Sequence, residues 1–274
     1  MKAKKIFMFA LILIMPCLVL FGCDQPASYN INVYANCTNG TVNGQGTYVE
    51  GETVTLSANG INGNKFIAWV YQNKKILEND STYTITTSED NMSSTLSFTS
   101  SQTTADRYTA VFQDNKQIYY TLDSYKFTTN ASQEEPLPED AETLFSGILS
   151  VSFGETNSSY REVFNAETEF KDNVTVKAEN VKDVMMLSRT SPYYLRFSID
   201  NGSGNVQIKT IPVTYNSNSQ ANDVSATFNS DRTVTVSYTF EIAQTQIVEP
   251  DANENEEPLT TKVTILINLT PLSI

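Results

Sequence analysis

Histidine is absent from this 274-residue chain. Its absence removes the Ser-His-Asp and Cys-His catalytic arrangements and every His-containing metal site. Only three cysteines are present, too few for a disulfide framework or a four-thiolate zinc site. Basic residues are scarce, with 18 Lys and Arg against 31 Asp and Glu. None of them clusters with aromatics, so a nucleic-acid backbone would be repelled and no nucleic-acid partner is expected. Glycine is sparse at 11, whereas Tyr and Phe number 14 each among long Thr, Val and Ser tracts. That composition favours strands. No amphipathic helix of any length follows residue 23, which argues against the α/β solute-binding class with its long helices.

The N-terminus reads as a processing segment. Lys2, Lys4 and Lys5 form a basic start, Ile6 to Phe21 is apolar, and Leu20-Phe21-Gly22-Cys23 closes the run. The run is about 16 residues, short of the ~20 that span a bilayer, and Pro16 interrupts it. This pattern resembles the lipobox of bacterial lipoproteins, with Phe21 larger than that place usually holds. The resemblance implies cleavage between Gly22 and Cys23 and lipidation of Cys23, leaving residues 1–22 as a signal peptide. Two or three acyl chains together make a stable membrane anchor. The expected location is therefore extracytoplasmic, on the surface of a bacterial membrane. Removing residues 1–22 takes away three lysines and no acids, moving the net charge from −13 to −16. Cys37 is then the one free thiol, with no histidine to activate it, and reads as structural filler.

Alternation marks residues 28–113. Tyr29, Ile31 and Val33 share one strand face, as do Val54, Leu56 and Ala58, then Tyr108, Ala110 and Phe112. Turn formers such as Asn39-Gly40, Asn43-Gly44 and Asn62-Gly63 separate the runs. Gly40-Thr41-Val42, Tyr48-x-x-Gly51-x-x-Val54-x-Leu56, Phe66-x-x-Trp69 and Ala110-x-Phe112 follow in order. Their series resembles the divergent internalin B-type repeat, a small module of bacterial surface proteins whose fold is similar to a β-grasp. Two departures stand out: Asn64 takes a place that is usually aromatic, and residues 71–107 are longer than a minimal repeat. Either Thr82–Thr86 or Thr95–Thr99 can be the penultimate strand. The resemblance implies a spacer or adhesive unit with no catalytic position. Trp69 follows Phe66 at a spacing that also suits a helical turn, and it should plug the core beside Val54, Leu56 and Phe112.

Residues 117–274 resemble no family. Candidate strands fall at 118–122, 125–129, 144–153, 174–178, 183–188, 193–199, 205–211, 223–228, 233–242 and 262–269. Asp200-Asn201-Gly202 and Asn229-Ser230-Asp231 read as hairpin turns. Pro212 marks a strand end or an edge. Residues 158–170 read as a short helix or an irregular crossover. The expected fold class is all-β: a small β-grasp-like module, then a two-sheet sandwich, immunoglobulin-like at best because the Cys-Trp-Cys hallmark is missing.

These features point to a membrane-anchored surface lipoprotein with a binding, adhesive or structural role, free of cofactors and not an enzyme. Its ligand would be an extracellular glycan or protein. The adjacent pairs Tyr119-Tyr120 and Tyr193-Tyr194 are the candidate contacts, because alternation should put one of each pair in the core and the other outside. The alternative is a glycan- or wall-acting hydrolase in residues 117–274, since such chemistry needs only two carboxylates. The acidic stretches Glu134–Asp140 and Glu249–Pro258 read as solvated loops, without the ligand spacing of a calcium site. Millimolar calcium should accordingly leave the melting temperature unmoved. A rise of several degrees would reveal a native-state cation site, because ligands that bind only the folded chain stabilise it.

Overall fold

The computed structural model describes residues 25–102, 104, 106–114, 117–129, 143–202, 206–215, 217–221, 223–243 and 260–272, and all regular structure among them is β. Gly22, Cys23 and both acidic stretches lie outside the described residues.

The first half contributes β1 (Ser28–Ala35), β2 (Gly40–Asn43), β3 (Gly46–Val49), β4 (Thr53–Gly60), β5 (Phe66–Tyr71), β6 (Lys74–Lys75), β7 (Thr84–Thr87), β8 (Ser93–Thr99) and β9 (Arg107–Phe112). They form a five-stranded sheet, β3-β1-β9-β5-β6, and a four-stranded sheet, β2-β4-β8-β7. First and last strands run parallel at the centre of the larger sheet, Val33 beside Tyr108 and Tyr34 beside Thr109. Both readings of the penultimate strand are realised: the 82–86 and 95–99 segments become β7 and β8, paired as a hairpin. The alternating apolar residues of the two sheets meet in one cluster that holds Val54, Leu56, Phe66, Trp69, Leu96, Tyr108 and Phe112.

Phe66 and Trp69 both point into this core although they are three apart in a strand. A register shift between Phe66 and Ala68 explains it: Phe66 sits opposite Phe112, yet Ala68 already faces Val111. The bulge inserts one residue and returns Trp69 to the face of Phe66, with the rings 5.5 Å apart. The indole N–H donates to the Ser94 hydroxyl at 3.1 Å, so the one polar atom of this buried ring is satisfied. Gly40 is dictated by the same core, because a Cβ there would lie 2.2 Å from the Phe112 ring.

The second half contributes β10 (Gln117–Thr129), β11 (Thr143–Thr156), β12 (Ser159–Lys171), β13 (Thr175–Lys177), β14 (Met185–Ser188), β15 (Tyr193–Asp200), β16 (Val206–Val213), β17 (Ser219–Ala221), β18 (Val224–Phe228), β19 (Val234–Ala243) and β20 (Thr260–Pro271). One sheet runs β13-β10-β20-β19-β18-β17, with β14 also on β10; the other runs β12-β11-β15-β16. Their facing sides form a second core, including Tyr120, Phe127, Val151, Phe197, Val236 and Ile265. The expected hairpin turns at 200–202 and 229–231 join β15 to β16 and β18 to β19. Two segment readings change. The 118–122 and 125–129 strands are one strand, with a register shift between Leu122 and Ser124. Residues 158–170 form the long strand β12, neither a helix nor an irregular crossover. A bulge is again the cause: Val151 faces Phe164 while Ser152 faces Glu162. The extra residue, Val163, returns Phe164 to the inner face that Arg161 occupies three residues earlier, a spacing that mimics a helix.

The two halves meet through backbone as well as side chains. The two-residue turn Gln72-Asn73 has both residues at positive φ, 48° and 61°, as a tight hairpin between β5 and β6 requires. Beside it, residues 182–184 run antiparallel to Lys74. The Lys75 amide donates to Lys182 O and the Val184 amide to Asn73 O, both at 2.8 Å. Val70 and Val111, on the outer face of the five-stranded sheet, are buried together with Val184 against Tyr119 and Leu272. An excised first half would expose that apolar face.

Trp69→Ala should destabilise the full chain by ~3–5 kcal/mol, the usual cost of emptying a large buried aromatic site. Urea unfolding followed by circular dichroism measures it, since the variant lacks the only tryptophan.

Candidate functional site

The four tyrosines flagged in the sequence alternate in burial but do not converge. Tyr120 is in the core, and its hydroxyl donates to the Arg232 carbonyl at 3.0 Å. Tyr193 is also buried. Its hydroxyl accepts from Arg161 Nη1 at 3.0 Å, while Arg161 Nε reaches Asp183 at 3.0 Å and Nη2 the Val184 carbonyl at 2.6 Å. Tyr119 is half-buried in the junction beside Val70, Val111 and Val184. Tyr194 lies half-buried on the solvent face of β15, alternating with the buried Tyr193 and Leu195. Of the four, Tyr194 alone faces away from both the core and the junction.

Its neighbours on that face are residues sequence reading passed over. Tyr160, at the start of β12, carries the Arg196 guanidinium 5.1 Å above its ring. The ring lies over Gly154, where a Cβ would come within 2.7 Å of it. Tyr160, Tyr194 and Arg196 thus form an aromatic and cationic patch on the outside of the four-stranded sheet. Such a combination can stack on a sugar ring or pack against a protein through low-entropy aromatic contacts. Reading 158–170 as a helix or crossover hid Tyr160. A similar pair occurs in the first half, where Arg107 sits 4.8 Å above the ring of Tyr34, itself 45% exposed.

The cavities bear on the hydrolase alternative. A space of about 240 Å³ opens between the halves, lined by Val111, Tyr119, Leu272, Arg232, Asp114 and Asp231. Asp231 accepts from the Thr233 amide at 3.0 Å and the Thr233 hydroxyl at 2.7 Å. Those bonds hold its carboxyl below the usual range, which is the opposite of what a general acid needs. A larger open groove of about 630 Å³ lies between β5 and β7, and Glu78 supplies its one carboxylate. Among the described residues no group of three or more His, Cys, Asp or Glu is placed to hold a metal ion.

Burial pushes the Tyr119 and Tyr120 hydroxyls up to about 12. The folded chain therefore holds these protons more tightly than the unfolded chain, where tyrosine titrates near ~10. The stability they contribute is complete below pH ~10 and is lost as pH rises towards ~12. The melting temperature should fall across that window, and Tyr119→Phe should flatten the decline. A Tyr119→Phe profile as steep as wild type would show that this hydroxyl does not titrate with unfolding.

A search of curated proteins finds no match to the chain. Residues 29–116, which contain almost all of β1–β9, match the family model of the divergent InlB B-repeat domain.

Proposed function

We propose that this chain is a lipid-anchored bacterial surface protein that binds or adheres without catalysing a reaction. The observation that carries the reading is the Leu20-Phe21-Gly22-Cys23 motif placed directly ahead of a repeat of the surface-protein type. Between Cys23 and the first paired residue lie only Asp24 to Ala27, which span under ~20 Å when extended. The module would then sit next to the membrane, and the second half would carry the contact with an extracellular glycan or protein. Within that half the Tyr160–Tyr194–Arg196 patch is the favoured contact surface. The fixed junction supports the structural side of the role, since it holds the patch at a set orientation to the anchored module.

The test has two arms. Cys23→Ala should move the protein from the membrane fraction to the soluble fraction, and retention in the membrane would overturn the lipid anchor. The full chain is then panned on peptidoglycan, host matrix proteins and a glycan array beside Tyr160→Ala and Tyr194→Ala. Binding lost by at least ten-fold in both variants supports the patch. Binding that survives both would move the contact elsewhere.

A further inference from the structure

The outer edge of β16 has no strand neighbour among the described residues, because β16 ends the sheet β12-β11-β15-β16. Its register is Tyr194 opposite Pro212, Arg196 opposite Thr210, Ser198 opposite Ile208 and Asp200 opposite Val206. Proline has no N–H to give, so within a sheet it occupies a position whose N–H side faces outward. Position 212 therefore points its backbone away from β15, and so do positions 210, 208 and 206 by the alternation of an antiparallel ladder. The free edge offers the N–H and C=O groups of Val206, Ile208 and Thr210.

The same residues turn their side chains to solvent. Val206 and Ile208 are 49% and 51% exposed, the highest values among the exposed large apolar side chains of the described residues. Natural edges are usually guarded by a charge, especially lysine, or by proline, and Pro212 guards only the end of β16 beyond Ile211. Here Lys209 is turned inward, paired with Asp223 and set 5.3 Å above the Tyr238 ring. In a chain with net charge −13, this strip carries no charge on the side chains that line its free edge.

We propose that β16 pairs with β16 of a second copy, antiparallel about a two-fold axis through Ile208. That register is self-complementary. Ile208 faces its own mate, Val206 faces Thr210 of the other copy, and every free N–H of the strip finds a carbonyl. β-Branched pairs face each other on one side of the sheet, and no like charges are opposed. Two four-stranded sheets become one continuous eight-stranded sheet. A contact of this length falls below the ~1,000 Å² typical of stable complexes, so the pairing is a weak one that forms at high local concentration.

Disulfide trapping of the full chain at millimolar concentration tests the register. Ile208→Cys should cross-link to itself under mild oxidation, because directly opposed residues lie ~5.5 Å apart, within disulfide reach. Val206→Cys should not link to itself, whereas a mixture of Val206→Cys and Thr210→Cys should. The expected rate for Ile208→Cys is at least ten-fold above that of Val174→Cys, a control residue 46% exposed away from this strand. Ile208→Lys should return the protein to a monomer in analytical ultracentrifugation. Equal cross-linking of Val206→Cys with itself, or of Val174→Cys, would mean nonspecific association and overturn the proposal. So would a protein that stays monomeric at millimolar concentration. Amides at 206, 208 and 210 should exchange freely on dilution; protection in the dilute monomer would mean that the chain covers its own edge, and would also overturn it.

Discussion

The short backbone run at residues 182–184, laid beside Lys74, is the contact on which the arrangement of this protein depends. It extends the five-stranded sheet of the first half with residues from the second. Burying Val70, Val111 and Val184 there is worth on the order of 1.5–3 kcal/mol for each side chain. The ion pair across the same seam, Lys182 to Asp80 at 3.9 Å, joins partly exposed groups and adds little by comparison. Arg161 locks the segment from behind. Its guanidinium meets Asp183, the Val184 carbonyl and Tyr193 at once, so the partly buried charge is balanced and the strip cannot shift without exposing it.

Most of the fold was legible because strand periodicity and turn chemistry agreed. The runs around Val54 and Tyr108, the turns at 200–202 and 229–231, and Pro212 on an outermost strand all follow from local rules. The failures share one physical origin. At Phe66–Trp69 and at Arg161–Phe164 a bulge adds a residue to the strand, so a period of two becomes three. Such a pattern imitates a helix. Near Trp69 the core partners were still evident, but near Tyr160 no neighbouring motif corrected the reading.

The candidate surface was legible to a lesser degree. Adjacency in a strand correctly separated Tyr120 from Tyr119 and Tyr193 from Tyr194. It could not tell that the outward side of Tyr119 is covered by the other half, because that cover comes from Val70 and Val111, remote in sequence. Nor does sequence announce that Arg196 rests on Tyr160, since the two lie on strands separated by β11. Long-range proximity of this kind is set by sheet order, and sheet order is written in no single segment.

The parallel pairing of β1 with β9 has a mechanical consequence. A pull on Ser28 towards the N-terminus and on Phe112 towards the C-terminus drags these neighbouring strands in opposite directions along their length. The load falls on their hydrogen bonds together, in shear, instead of opening them one by one like a zip. The Asn36 side chain reinforces the far end of the ladder, accepting from the Phe112 amide at 2.7 Å and donating to its carbonyl at 3.2 Å. Force transmitted through the termini of this module therefore meets its stiffest direction.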